Sequence, residues 1–186
     1  MTSTIIVLPG IGGSGPNHWQ THWEMQNSAM RRFQPSSWDQ PDLEDWIAAL
    51  DKAVSEAEEP PLLIAHSLAC LLVAHWAART ERQVCGAFLV SVPDPLCAVF
   101  PSEAATFSDL PERVLPFPSL IVASENDPYG SLEYAKQRAQ QWNGGLVIAG
   151  ALGHINGNSG IGNWPQGAML LEAFQAGTKK QAMTVK

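Results

Sequence analysis

The sequence predicts an α/β fold, a mostly parallel sheet with helices on both faces, and three observations carry that expectation. Short apolar runs alternate along the chain with segments of helical period, as they do when helices connect parallel strands. The runs are apolar at successive positions rather than at every second one, so both faces must be covered. With 186 residues, 45% of them hydrophobic and 16% charged, the chain has the size and composition of an ordinary globular domain that buries a core. One domain is expected over residues 1–178 and a flexible tail over 179–186.

Thr4-Ile5-Ile6-Val7-Leu8 is a β-branched run ended by Pro9-Gly10, the first core strand. Residues 9–16 then hold four glycines, a loop whose backbone can approach a ligand and present its N–H groups. The loop lacks the Gly-Lys pair of a P-loop, and phosphate binding is the weaker reading. His18 and His22 lie four apart in an aromatic-rich segment, but no third ligand accompanies them. A helix with two polar histidines near a pocket rim is favoured over a zinc site. A short second strand is expected within residues 30–35. Asp42 caps a helix whose stripe is Leu43, Trp46, Ile47, Leu50, Val54 and Ala57.

Leu62-Leu63-Ile64-Ala65-His66 is the next strand, and after Ser67 the residues Leu68, Leu71, Leu72, His75 and Trp76 recur at helical spacing. Gly86-Ala87-Phe88-Leu89-Val90-Ser91 is a strand stopped by Pro93, and Ser119-Leu120-Ile121-Val122-Ala123 is another. Between them the proline-punctuated residues 97–118 are expected to be irregular and to form a pocket wall. Ser131 begins a helix with Leu132, Ala135, Ala139 and Trp142 on one face, and Gly145-Leu146-Val147-Ile148 is the last strand. Pro165 and Gly177 bracket the final helix.

The formal charge of −7 argues against nucleic-acid or anionic-membrane partners, which require clustered Lys and Arg. No apolar run approaches the about 20 residues that span a bilayer, so no membrane partner is expected. Three cysteines without metal-ligand spacing suit reduced thiols, and the expected location is the cytoplasm. Oligomeric state leaves no trace in the sequence.

The change of period at Ser67 is the context of a nucleophile elbow, a strained turn from strand to helix that exposes a serine hydroxyl above the sheet. Ala65 and Ala69 are small, as the crowding at such a turn demands. The plainer alternative is a serine that merely caps the helix. Ligands of an open parallel sheet sit beyond the C-terminal strand ends, and Ser67, Asp127 and His154 all fall there. They also follow the order Ser, Asp, His that α/β-hydrolase connectivity produces. Asp94, also at a strand end and also followed by proline, competes with Asp127 as the acid. In the implied chemistry His154 takes the proton of Ser67 and the carboxylate orients the imidazole. The oxyanion donors are expected to be the backbone N–H groups of Leu68 and Ile11, with Gly12 in reserve for the second. Gly12, His66, Ile155 and Trp164 are candidate pocket-lining residues, although Trp164 equally suits the core. The chemistry calls for no metal and no organic cofactor.

These residues carry a resemblance. The chain resembles the small α/β-hydrolase family of retinoblastoma-binding protein nine and its bacterial relatives. The matching pieces are Leu8-Pro9-Gly10 with His18-Trp19, the run from Trp38-Asp39-Gln40-Pro41-Asp42 to Trp46, Ala65-His66-Ser67-Leu68, Asp127-Pro128, Gly153-His154-Ile155-Asn156 and Gly160-Ile161-Gly162-Asn163-Trp164-Pro165. The resemblance implies a three-layer α/β-hydrolase fold without a large cap domain, with Ser67 as nucleophile, Asp127 as acid and His154 as base. Ala69 departs from the glycine frequent in that family.

The expected function is a serine hydrolase acting on small-molecule esters, thioesters or amides. A different class stays open: a hydrolase fold kept as a protein-binding module with a vestigial triad. Its sequence feature is the count of seven tryptophans, of which Trp19, Trp23 and Trp38 could form a surface patch, though core burial of most is the favoured account.

Overall fold

Ile5–Leu8 (β1), Met30–Arg32 (β2), Leu62–His66 (β3), Gly86–Val90 (β4), Ser119–Ala123 (β5) and Gly145–Ile148 (β6) pair in the order β2-β1-β3-β4-β5-β6. Every pairing is parallel. The helices are Trp19–Gln26 (α1), Leu43–Ser55 (α2), Leu68–Ala77 (α3), Leu132–Trp142 (α4) and Pro165–Thr184 (α5). The computed structural model describes residues 4–184, with side chains through Thr178.

The strand pleat sorts the core into two layers. Ile6, Leu8, Leu63, Ala65, Ala87, Leu89, Ile121 and Ala123 point to the face covered by α2, α3 and α4, where Trp46, Leu50, Leu72, Trp76 and Trp142 meet them. Ile5, Leu62, Ile64, Phe88, Val90 and Val122 point to the opposite face, against Trp19 and Trp23 of α1, Trp164 and Leu171. Successive apolar residues in one strand therefore serve different layers. Each fully buried large side chain contributes on the order of 1.5–3 kcal/mol, so the continuous runs in β1, β3 and β4 are what make the sheet interior. The edges depart from that rule. Strand β2 is half-buried, and β6 is exposed at both of its ends.

Helix starts follow the expected chemistry. Asp42 caps α2 by accepting from the N–H of Asp45, and Ser131 caps α4 by accepting from Tyr134. Helix α5 runs past Gly177, which is not among the glycines with positive φ and so makes no left-handed cap. The tail expected over 179–186 is thus helical in its backbone to Thr184, and residues 185–186 lie outside the described residues.

The longest connection, residues 91–118 between β4 and β5, carries only a short 3₁₀ segment, Ser102–Phe107, so no large cap domain covers the sheet. Trp19 and Trp23 are buried, which removes them from any surface patch, and Trp38 packs edge-on against Phe33 and Trp46. No helix among the described residues is long and apolar enough to cross a membrane.

Candidate active site

Strand β3 ends at His66, and Ser67 follows with φ 55° and ψ −126° before α3 begins at Leu68. A non-glycine residue in this region stores on the order of 1–3 kcal/mol of strain, which the surrounding packing must hold. The Ser67 N–H donates to the Val90 carbonyl at 3.0 Å, and Ala65 and Ala69 are fully buried on either side. Gly10, at the end of β1, closes the turn from outside, since a Cβ there would lie 2.9 Å from Ser67 Cβ and 3.1 Å from the His66 carbonyl oxygen. Ser67 makes no capping bond to α3. Its hydroxyl instead lies 2.8 Å from His154 Nε2.

His154 Nδ1 faces the Asp127 carboxylate, at 2.8 Å from Oδ1 and 3.0 Å from Oδ2. The carboxylate can only accept, so the neutral imidazole carries its proton on Nδ1 and leaves Nε2 to accept from Ser67. Asp127 Oδ1 also accepts from the Tyr129 N–H at 3.0 Å, and the Tyr129 ring packs over the imidazole with centroids 4.5 Å apart. The side chains of Asp127 and His154 are 3% and 10% exposed, so their interaction is largely shielded from water. Asp94, the competing carboxylate, is occupied elsewhere: its Oδ1 accepts from Leu96 N–H at 2.9 Å in a local turn.

Two groups that the sequence did not single out tie the Asp127 loop to the His154 loop. Asn126 Oδ1 accepts from Gly153 N–H at 2.7 Å, and Ser124 Oγ accepts from Leu152 N–H at 2.9 Å while donating to Asn126 Oδ1. Gln20, almost wholly buried on α1, donates through Nε2 to the carbonyls of Leu8 and Ile64 and accepts from Ser14 Oγ. It therefore pins the glycine-rich loop to the ends of β1 and β3. A polar residue inside an aromatic helix was the available signal.

The histidines of the region are engaged separately. His18 caps α1, its Nδ1 accepting from Gln20 N–H, while His22 Nδ1 faces Asn163. Burial, reinforced by Arg32, His154 and His22, holds His18 down at about 3. His66 is held well below the usual histidine range, again by burial first and by His18 and His154 next. Being neutral, it donates from Nε2 to the His154 carbonyl at 2.9 Å. Cys70, one turn into α3, is an unreactive thiol, because burial pushes its pKa up.

A cavity of about 340 Å³ opens beside Ser67 and His154. Ile11, Gly12, His66 and Leu68 line it. Ile155 and Trp164 do not. Both are core residues, 0% and 1% exposed, with φ of 45° and 43°. The left-handed backbone turns their side chains away from the cavity and into the layer against α1, where Ile155 also gives its carbonyl to Trp19 Nε1 at 2.8 Å. The backbone N–H of Gly12 is spent on the Trp38 carbonyl at 3.1 Å, which withdraws it as a reserve oxyanion donor. The Leu68 N–H, first in α3, has no helical acceptor by construction, and the Ile11 N–H donates to no group among the described residues.

A family model described as serine hydrolase matches residues 5–173. A solved structure described as a YdeN-like hydrolase from Pectobacterium atrosepticum is 31% identical over 95% of this chain and 92% of its own, with a TM-score of 0.86. The ydeN gene product of B. subtilis, 21% identical over 94% of this chain and all of its own (100%), superposes with a TM-score of 0.76. Est1E from Butyrivibrio proteoclasticus, solved with ferulic acid bound, shares the fold at 13% identity, covering 98% of this chain and 90% of its own with a TM-score of 0.71. No curated protein matches the chain.

Proposed function

Because the chain belongs to the serine hydrolase family, we propose that it hydrolyses small acyl compounds, whether esters, thioesters or amides, through an acyl-enzyme on Ser67. The observation that carries this is the continuous line Ser67 Oγ, His154 Nε2, His154 Nδ1, Asp127 carboxylate, with both contacts at hydrogen-bond length. Within the family we place the protein beside the small hydrolases related to retinoblastoma-binding protein nine, on the Ala65-His66-Ser67-Leu68 and Gly153-His154-Ile155-Asn156 segments that now face each other. The cytoplasm remains its proposed location.

A serine hydroxyl is a weak nucleophile near neutral pH. As Ser67 Oγ attacks the carbonyl carbon, its proton passes to His154 Nε2, and Asp127 stabilises the imidazolium that results. The oxyanion forms beside the N–H groups of Leu68 and Ile11. Collapse breaks the bond to the leaving group, which takes the proton from His154 and departs. Water then enters, gives a proton to His154 and attacks the acyl carbon, and the second collapse returns that proton to Ser67 and releases the acid. No step calls for a metal or an organic cofactor.

The test is labelling with a fluorophosphonate, which reacts readily only with an activated serine. The adduct is expected on the peptide containing Ser67 and absent from Ser67→Ala. A folded protein that stays unlabelled sinks the proposal and favours a binding module instead.

A further inference from the structure

The cavity beside Ser67 has two unlike walls. Phe100, Pro101 and Ala104, from the long connection between β4 and β5, form an apolar one. Ser14, Asn156 and Asn158 line the cavity with neutral polar groups. The side-chain amide nitrogen of Asn156 and the side chain of Asn158 have no partner among the described residues, while the Ser14 hydroxyl donates to Gln20 and keeps its acceptor capacity. None of the described lining residues is Asp, Glu, Lys or Arg. Of the charged groups close by, Arg32 pairs with Glu24 and bonds the carbonyls of Gly13 and Ser14, and the Asp127 carboxylate accepts from His154. The two further histidines of the lining, His18 and His66, are each committed through a ring nitrogen, to the α1 N-terminus and to the His154 carbonyl.

We infer that the substrate is uncharged on both its acyl and its leaving-group side, with an apolar arm on the Phe100, Pro101 and Ala104 wall and a neutral hydrogen-bonding arm at Ser14, Asn156 and Asn158. The inference rests on the reading of Ser67 as nucleophile. An ion entering this cavity loses water and gains no counter-charge, which disfavours it strongly. The net charge of −7 adds long-range repulsion against anions. At the ~30 Å³ that a water-sized group occupies in a liquid, 340 Å³ accommodates about ten non-hydrogen atoms, the size of a short ester.

Two near-isosteric pairs of esters test the inference by pH-stat titration of the full-length protein. Ethyl pentanoate against monoethyl succinate places a carboxylate on the acyl side, and dimethylbutyl butyrate against butyrylcholine places a quaternary ammonium on the leaving group. The neutral member of each pair is expected to lead by about 100-fold in kcat/KM. A ratio near one in either pair overturns the inference. The variant Asn158→Lys is expected to narrow the gap between pentanoate and succinate about tenfold by supplying the missing cation, and an unchanged gap also counts against the proposal. Fluorophosphonate labelling, run alongside, separates the failures. A labelled protein that hydrolyses neither neutral ester refutes the substrate class, whereas an unlabelled one refutes the role of Ser67.

Discussion

His66 Nε2 donates to the backbone carbonyl of His154 across 2.9 Å, so the residue just before the proposed nucleophile holds the chain that carries the proposed base. The bond joins the end of β3 to the loop after β6, two segments 88 residues apart in sequence. It also fixes the His66 tautomer.

His66 is therefore expected to be a positioning residue. In His66→Ala the His154 carbonyl loses its buried donor, a cost of about 1–3 kcal/mol, part of which falls on the placement of the imidazole. We expect kcat to drop about tenfold with little change in KM, and His66→Gln, which keeps an N–H donor, to recover part of the loss. His154→Ala should lose far more, about as much as Ser67→Ala, because such groups act as a unit. Steady-state kinetics on all four variants check this, and a His66→Ala enzyme with unchanged kcat removes the role.

The acid can be decided by asparagine scanning. Asp127→Asn keeps the shape of the side chain but permits the wrong imidazole tautomer, a loss of up to about ten-thousandfold in kcat in the serine-protease precedent. Asp94→Asn leaves an acceptor oxygen for the Leu96 N–H and should cost less than tenfold. Both variants should melt near the parent temperature. The opposite ranking of rates moves the acid to Asp94.

Acid stability should bear the mark of His18. Its pKa is about 3 in the folded protein against 6.5 as reference, so between those values the unfolded chain binds a proton that the folded chain refuses. Stability then falls as pH drops below about 6.5, by at most about 1.4 kcal/mol per pH unit for this one group. His18→Asn keeps an acceptor for the N–H of Gln20 and does not titrate. Urea denaturation between pH 6.5 and 4.5 should show a shallower loss in the variant by up to that slope, and identical slopes exclude His18 as the proton site.

The sheet was legible because its central strands are buried on both faces and so read as unbroken apolar runs, while Ser67 stood out where the period of the sequence changes. The strand-end placement of His154 and Asp127 followed from the same logic. The family resemblance and a polar loop leading into a helix favour Asp127 over Asp94, but strand-end position and the following proline are common to both. It is the bonds from Leu96 N–H to Asp94 and from His154 to Asp127 that tell the two apart in the structure. Ile155 misled because a large apolar residue near a proposed base resembles a pocket lining, whereas for Trp164 the core role that the sequence equally allowed is the one observed. Their left-handed backbone, which points them into the core, has no mark in the sequence when the residue is not glycine. Asn126 and Ser124 were hidden for another reason: a polar loop residue that bonds a distant N–H looks like any solvated one.

The contact between Ser67 and His154 joins positions 87 residues apart, with the serine made first. At a synthesis rate of ~5–20 residues per second, about 4–17 s separate the two on the ribosome. Throughout that interval the nascent chain holds a serine with no base and lacks the histidine whose loop His66 anchors. On the proposed reading the growing chain is thus mute toward acyl substrates until the loop after β6, which carries the proposed base, has been made.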